Sequence, residues 1–241
     1  QSALSHNVNL SYYSFNMFNY TNIFANINYN KSIDNIRTES IFSPGSVIRV
    51  STPFNSNFAD ENLSASGRYQ RTFGKLRGSV RANLNYSKFN QFIQGRRSVN
   101  ESFSQTYRAE FRTNFRTAPN VDLSYRYSIQ DNNLGANTTK FFTKSPTIEV
   151  DALFLKSFTF RTDYSYNDFS DEQNSINTYE FWNASLSYRK DEDSKFEYEL
   201  KATNLLNTRS QNQSNASNIS VSATEYFIQP PYLTFRVRYV L

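Results

Sequence analysis

The chain has 241 residues with a net charge of +5, and 17% of them are aromatic at a mean hydropathy of −0.67. The absence of cysteine excludes disulfides, thiolate metal sites and cysteine nucleophiles, and the single histidine, His6, leaves almost no room for a histidine-based metal site or catalytic triad. No apolar run reaches the roughly 18 residues of a membrane helix, and the basic residues are interleaved with apolar and acidic ones, which argues against a nucleic-acid partner.

Residues 1–6 lack the basic start and apolar core of a signal peptide. From there on, side chains alternate apolar and polar at the period of two that places them on opposite faces of a strand. The alternation is weak over 8–12, 23–29 and 63–73. It becomes strong at Leu76, Val80, Ala82, Leu84 and Tyr86, which are interleaved with Arg77, Ser79, Arg81, Asn83 and Asn85. Tyr107, Ala109, Phe111 and Phe115 oppose Arg108, Glu110, Arg112 and Arg116; Val121, Leu123, Tyr125, Tyr127 and Ile129 oppose Asp122, Ser124 and Arg126. Next come Ile148, Val150, Ala152 and Phe154 against Glu149 and Asp151, then Phe158, Phe160, Tyr164 and Tyr166 against Arg161 and Asp163. Trp182, Ala184, Leu186 and Tyr188 alternate with Asn183, Ser185 and Ser187, and Phe196, Tyr198, Leu200 and Ala202 with Glu197, Glu199, Lys201 and Thr203. The last strand sets Leu233, Phe235, Val237, Tyr239 and Leu241 against Thr234, Arg236 and Arg238. No segment shows comparable recurrence at helical spacing, so the chain reads as all β, in about eleven strands.

The connections alternate too. Short ones are expected at 16–19, 73–75, 117–120, 156–157 and 190–194, and long polar loops at 37–62, 94–102, 131–144, 168–178 and 207–225. A small hairpin is expected inside the first long loop around Pro44 and Gly45, and a flexible surface loop in the last. Short turns at one end, long loops at the other, and one apolar and one polar face are the pattern of an antiparallel transmembrane β-barrel of the outer membrane. In that reading the terminal-strand residues Leu233, Phe235, Val237, Tyr239 and Leu241 face lipid. Facing the lumen are Arg77, Arg81, Arg108, Glu110, Arg112, Arg126, Glu149, Asp151, Arg161, Asp163, Glu197, Glu199, Lys201, Arg236 and Arg238. These charges line a transport path or simply pair across strands, at roughly 0.2–1 kcal/mol per pair. Tyr12, Phe89, Tyr107, Tyr166, Phe181, Trp182, Tyr188 and Tyr239 read as interfacial girdles, and Phe54, Phe58 and Phe169 as candidate sugar-stacking rings. Glu197 and Glu199 share a face, but no enzymatic role and no cofactor is expected.

The run Ala202, Thr203, Asn204, Leu205, Leu206, Asn207, followed by a loop, Tyr226 to Pro230 and the terminal strand, resembles the C-terminus of Bacteroidetes-type TonB-dependent receptors. Pro231 stands where arginine is usual, and Leu241 where phenylalanine is commonest. The resemblance implies that residues 1–241 are the C-terminal half of a 22-stranded outer-membrane barrel in a Gram-negative cell, taking part in nutrient uptake. It implies as partners the N-terminal barrel half and a plug, TonB acting through that plug, the barrel-assembly machinery, and outer-membrane lipid with its lipopolysaccharide. Two other readings stand beside it: a self-contained barrel of ten or twelve strands serving as pore, adhesin or structural protein, and a soluble β-sandwich binding module.

Overall fold

The computed structural model describes residues 4–42, 49–93, 95–116, 119–134, 137–191, 193–216 and 221–239. The chain is 81% strand with no helix among the described residues. Its strands are β1 (Leu4–Asn16), β2 (Thr21–Ile33), β3 (Ile36–Phe42), β4 (Arg49–Asn55), β5 (Asp60–Phe73), β6 (Leu76–Ile93), β7 (Arg96–Thr113) and β8 (Asn120–Leu134). They continue with β9 (Asn137–Phe154), β10 (Phe158–Ser170), β11 (Ser175–Tyr188), β12 (Phe196–Thr203), β13 (Ser210–Ala216), β14 (Val221–Phe227) and β15 (Tyr232–Tyr239).

Eleven of these form one antiparallel path, β1-β2-β5-β6-β7-β8-β9-β10-β11-β12-β15, in which neighbours in space are almost always neighbours in sequence. β1 and β15 are the two ends of that path and do not pair with each other among the described residues. The hairpin β3-β4 joins the same sheet through a short parallel pairing of Glu39 and Ser40 with Phe92 and Ile93 of β6. β13 and β14 make a separate two-stranded sheet.

Register keeps the two faces distinct across the whole path. One apolar row runs Tyr29, Leu63, Tyr86, Phe103; another runs Tyr69, Val80, Ala109, Tyr125. Further along, Phe160, Leu186, Leu200 and Phe235 stand opposite one another on successive strands. A slip of one residue in any pairing would send that strand's apolar set to the charged side, so the alternation fixes the register. The ladder between β9 and β10 lapses at Pro146, which has no N–H to give, and resumes at Lys144 opposite Asp168.

The long polar connections differ from expectation. Residues 96–102 belong to β7, 131–134 and 137–144 to β8 and β9, and 168–170 and 175–178 to β10 and β11, so that only the connections at 94–95, 135–136 and 171–174 separate these strands. At one of these, Gly95 takes φ +71°, a conformation that suits a residue without Cβ. At another, Asp171 accepts hydrogen bonds from the N–H groups of Asn174 (2.7 Å) and Gln173 (2.8 Å), which hold its carboxyl below the usual carboxylate range. The stretch expected to be a flexible loop near the C-terminus forms β13-β14 instead. In these segments the apolar-polar alternation fades; Thr138, Thr139, Phe141, Phe142 and Thr143 in β9 and Ile176 and Thr178 in β11 still favour a strand, whereas 96–102, 131–134 and Ser210–Ala216 hold few such residues and continue the ladder of the strand opposite. The small hairpin expected in the first long loop is present as β3-β4; its tip, with Pro44 and Gly45, lies outside the described residues.

Candidate functional site: the two faces of the sheet

No hydrophobic side chain is buried among the described residues. The apolar face is open instead, with Leu10 65%, Val80 54% and Phe235 65% exposed. Its margins are marked. Near the short turns an aromatic rim passes from strand to strand: Phe154 to Phe158 (centroids 5.4 Å apart), Phe158 to Tyr188 (4.8 Å), Tyr188 to Tyr198 (6.4 Å) and Tyr198 to Phe235 (6.4 Å). Phe196 meets Tyr239 edge-on at 5.2 Å. At the opposite margin a row of charges replaces the apolar residues: Lys31, Glu61, Lys88 and Glu101 stand directly opposite one another on β2, β5, β6 and β7. Lys31 pairs with Glu61 at 3.0 Å and Lys88 with Glu101 at 2.9 Å. Lys144 and Asp168, 3.8 Å apart, take the equivalent place on β9 and β10. In β6 the apolar series runs from Leu76 to Tyr86, and its ten steps at about 3.3 Å make about 33 Å of strand, or about 25 Å of height at a tilt of ~40°.

Leu233, Phe235, Val237 and Tyr239 lie on this apolar face, opposite Ala202, Leu200, Tyr198 and Phe196; Leu241 lies outside the described residues. Tyr12, Tyr107, Tyr166, Trp182, Tyr188 and Tyr239 share the face. Phe89 and Phe181 do not: they stand opposite Asn100 and Ser165 on the charged side, because their numbers have the other parity from Tyr86 and Trp182. Trp182 satisfies its indole N–H on Thr162 Oγ1 at 2.9 Å.

The other face gathers all fifteen charged residues expected on the polar side. Pairing accounts for many of them. Arg238 meets Glu197 at 3.4 Å, Arg236 meets Glu199 at 3.3 Å and Arg161 meets Asp151 at 2.8 Å, all across strands. Arg112 binds Asp122 through Nε (2.7 Å) and Nη2. Glu197 and Glu199 are therefore each committed to an arginine and do not form a facing carboxylate pair. Glu110 differs, since its cation, Arg108, is on its own strand, 2.7 Å away. Asp122, Glu149 and Asp163 stand opposite one another on β8, β9 and β10, a carboxylate row. Arg77, Arg81, Arg126, Glu149 and Lys201 make no ion pair among the described residues.

Two polar nodes hold the connections and carry no counterpart in the alternating pattern. Asn204, 2% exposed and at φ +56°, donates its backbone N–H to Asn183 Oδ1 (2.9 Å). Its Nδ2 donates to the carbonyls of Thr208 (2.8 Å) and Gln229 (2.9 Å), and its Oδ1 accepts from Thr208 N–H (2.8 Å). Asn183 in turn donates to Asp163 at 2.7 Å, so the node joins the loop after β12 to the charged wall. The second node lies beyond the Lys31 to Glu101 row. Asp60, 3% exposed, binds Arg37 Nε (2.9 Å), Asn35 Nδ2 (3.3 Å) and the Asn90 N–H (2.9 Å). Burial alone would push its carboxyl up; Arg37, Asn90 and Asn35 together hold it below the usual range. Around it, Phe54 meets Phe92 edge-on at 4.6 Å, and the Arg97 guanidinium lies 3.6 Å from the Phe58 ring centre. Phe169 stacks on Phe141 at 5.3 Å. The three rings expected as sugar platforms thus have protein partners.

Comparison of the chain with protein-family models, with curated proteins and with solved structures finds no match.

Proposed function

We propose that this chain is wall of an outer-membrane β-barrel, of the kind found in TonB-dependent receptors, and serves uptake of a nutrient without covalent chemistry. The observation that carries the reading is the open apolar face, continuous over eleven strands, with an aromatic rim at one margin from β9 to β15 and a charge row at the other from β2 to β7 and on β9 and β10. A water-soluble sheet covers such a face with a second layer. A membrane barrel leaves it to lipid, in a band of about 25 Å flanked by aromatic girdles. The polar face then lines a lumen, the short connections after β1, β5, β7, β9 and β11 lie in the periplasm, and the hairpins beyond the charge row project from the cell. The two ends of the path, β1 and β15, need strand partners, because open edges in hydrocarbon cost several kcal/mol per unpaired group. The family resemblance supplies those partners as the other half of a larger barrel.

The test is a spin label on single cysteines at Leu186 and Ser185, adjacent residues of β11, in protein reconstituted into bilayers. Collision with oxygen is expected to dominate at 186, and collision with a water-soluble nickel chelate at 185. Equal access of the nickel reagent to both positions would remove the membrane reading.

A further inference from the structure

Cross-strand pairing does not account for one row on the charged face. Arg68, Arg81, Arg108 and Arg126 stand directly opposite one another on β5, β6, β7 and β8. At the ~4.8 Å spacing of neighbouring strands, four guanidinium groups line up over about 14 Å. Like charges set opposite one another destabilise a sheet. The Lys31-Glu61-Lys88-Glu101 row on the other face shows the alternating-sign arrangement that avoids this.

Compensation from the protein is sparse. Glu110 is the carboxylate within reach, 2.7 Å from Arg108 Nε, but off the N–H direction, so that buried donor has no aligned acceptor. Glu110 also accepts from Ser79 Oγ at 2.8 Å. Arg68 donates to the Gln70 side chain. Arg81 and Arg126 are exposed and make no ion pair among the described residues. On the long-loop side the next level is neutral: Ser66, Asn83, Thr106 and Ser128. The row therefore presents more positive charge than its surroundings neutralise.

Two aromatic rings extend it. Phe24 of β2 stands opposite Arg68, and Tyr13 of β1 opposite Phe24. Both are on the polar face, where the alternation has no use for an apolar ring, and they are 40% and 66% exposed. Together with Asn22, Arg68, Arg81 and Asn83 they line a cleft of about 350 Å³, within the range of small-molecule sites.

We propose that this arginine row and its flanking rings form a binding site for a small organic polyanion. Its carboxylate or phosphate groups engage successive guanidinium forks, which match such groups with two parallel N–H donors. A planar or sugar ring of the same ligand lies against Phe24 and Tyr13. The inference rests on the charged face of the sheet and holds whether or not the protein is in a membrane.

The experiment is calorimetric titration of the folded protein, in buffer or detergent, with benzene-1,3,5-tricarboxylate. The controls are its neutral triamide, the ringless propane-1,2,3-tricarboxylate, and inorganic phosphate. Saturable binding of both tricarboxylates is expected, the ring-bearing one tighter, with affinity falling as salt rises and with no binding of the triamide. The double variant Arg68→Gln/Arg81→Gln, which removes the two guanidinium groups that line the cleft, is expected to lose at least tenfold in affinity for both tricarboxylates. Phe24→Ala should bring the aromatic probe down to the level of the ringless one and leave the latter unchanged. Tight binding of phosphate alone would assign the row to free inorganic anion and overturn the organic-ligand assignment. Absence of saturable binding by folded protein, or equal affinity in the double variant, would overturn the site and point to an acidic polypeptide segment against the row.

Discussion

Asn204 shows how much one side chain can be asked to do. It occupies a left-handed backbone position and spans the loop that leads from β12 toward β15, with its amide bonded to Thr208 and Gln229. Asn204→Ala keeps neither the tolerance for that conformation nor the amide, and is expected to cost about 2–4 kcal/mol. Asn204→Gly should recover only the backbone part, about 1 kcal/mol. Denaturant unfolding of the three proteins orders them; equal stability would mean that the node is incidental. Asp60 makes a prediction in pH. Its folded-state pKa is depressed, so its contribution is present above the unfolded value of about 4 and is lost as pH falls through the lower folded value. Hydrogen exchange at the Asn90 amide, corrected for the intrinsic pH effect, should lose protection over that acidic range. In Asp60→Asn the protection should be reduced at neutral pH and no longer respond to acid.

At the scale of a strand, the faces are testable by charge. Arg in place of Leu186, Leu200 or Val237 on the apolar face is expected to cost about 2–4 kcal/mol near a bilayer midplane. Arg at Ser185 or Thr203, on the polar face of the same strands, should be tolerated. A refolding assay in lipid that found both sets equally tolerant would reject the face assignment. The eleven-strand path and its faces were legible in the sequence because apolar and polar residues alternate wherever register matters, as from Leu76 to Tyr86, where only Gly78 leaves a gap in the apolar series, and from Leu233 to Tyr239. What escaped was whatever alternation does not govern. The strand extensions at 96–102 and 137–144 keep their ladder without a regular alternation, with Phe141 and Phe142 adjacent on opposite faces, so the period of two gives no sign of them. Phe89 and Phe181 were placed by ring type alone, and parity puts them on the charged face. The arginine row needed register between four strands, which no single segment carries: Arg68 lies in a weakly alternating stretch and went unnoticed. The Asn204 node was visible only as a motif, without the contacts that explain it.

For the molecule as a whole, the question is what completes the sheet. β1 has its only partner in β2, and β15 in β12, among the described residues. If the chain is half of a larger barrel, residues 1–241 produced alone should give no heat-modifiable, protease-resistant monomer in detergent, and co-expression with the other half should restore one. A stable monomeric barrel from these residues alone would favour a self-contained barrel instead. If the chain is part of an outer-membrane barrel, removal of 239–241 from that barrel takes away Tyr239 and its contact with Phe196 at the rim, and insertion is expected to fall steeply, whereas Arg236→Gln with Arg238→Gln should change the charge of the polar face and leave insertion near normal.

The carboxylates Glu149 and Asp163 of β9 and β10 and the arginines of β5 to β8 sit on one face of the sheet. If that face lines a lumen, a cation drifting along it would be drawn toward β9 and β10 and an anion toward β5 to β8, so traffic of opposite sign would keep to separate lanes.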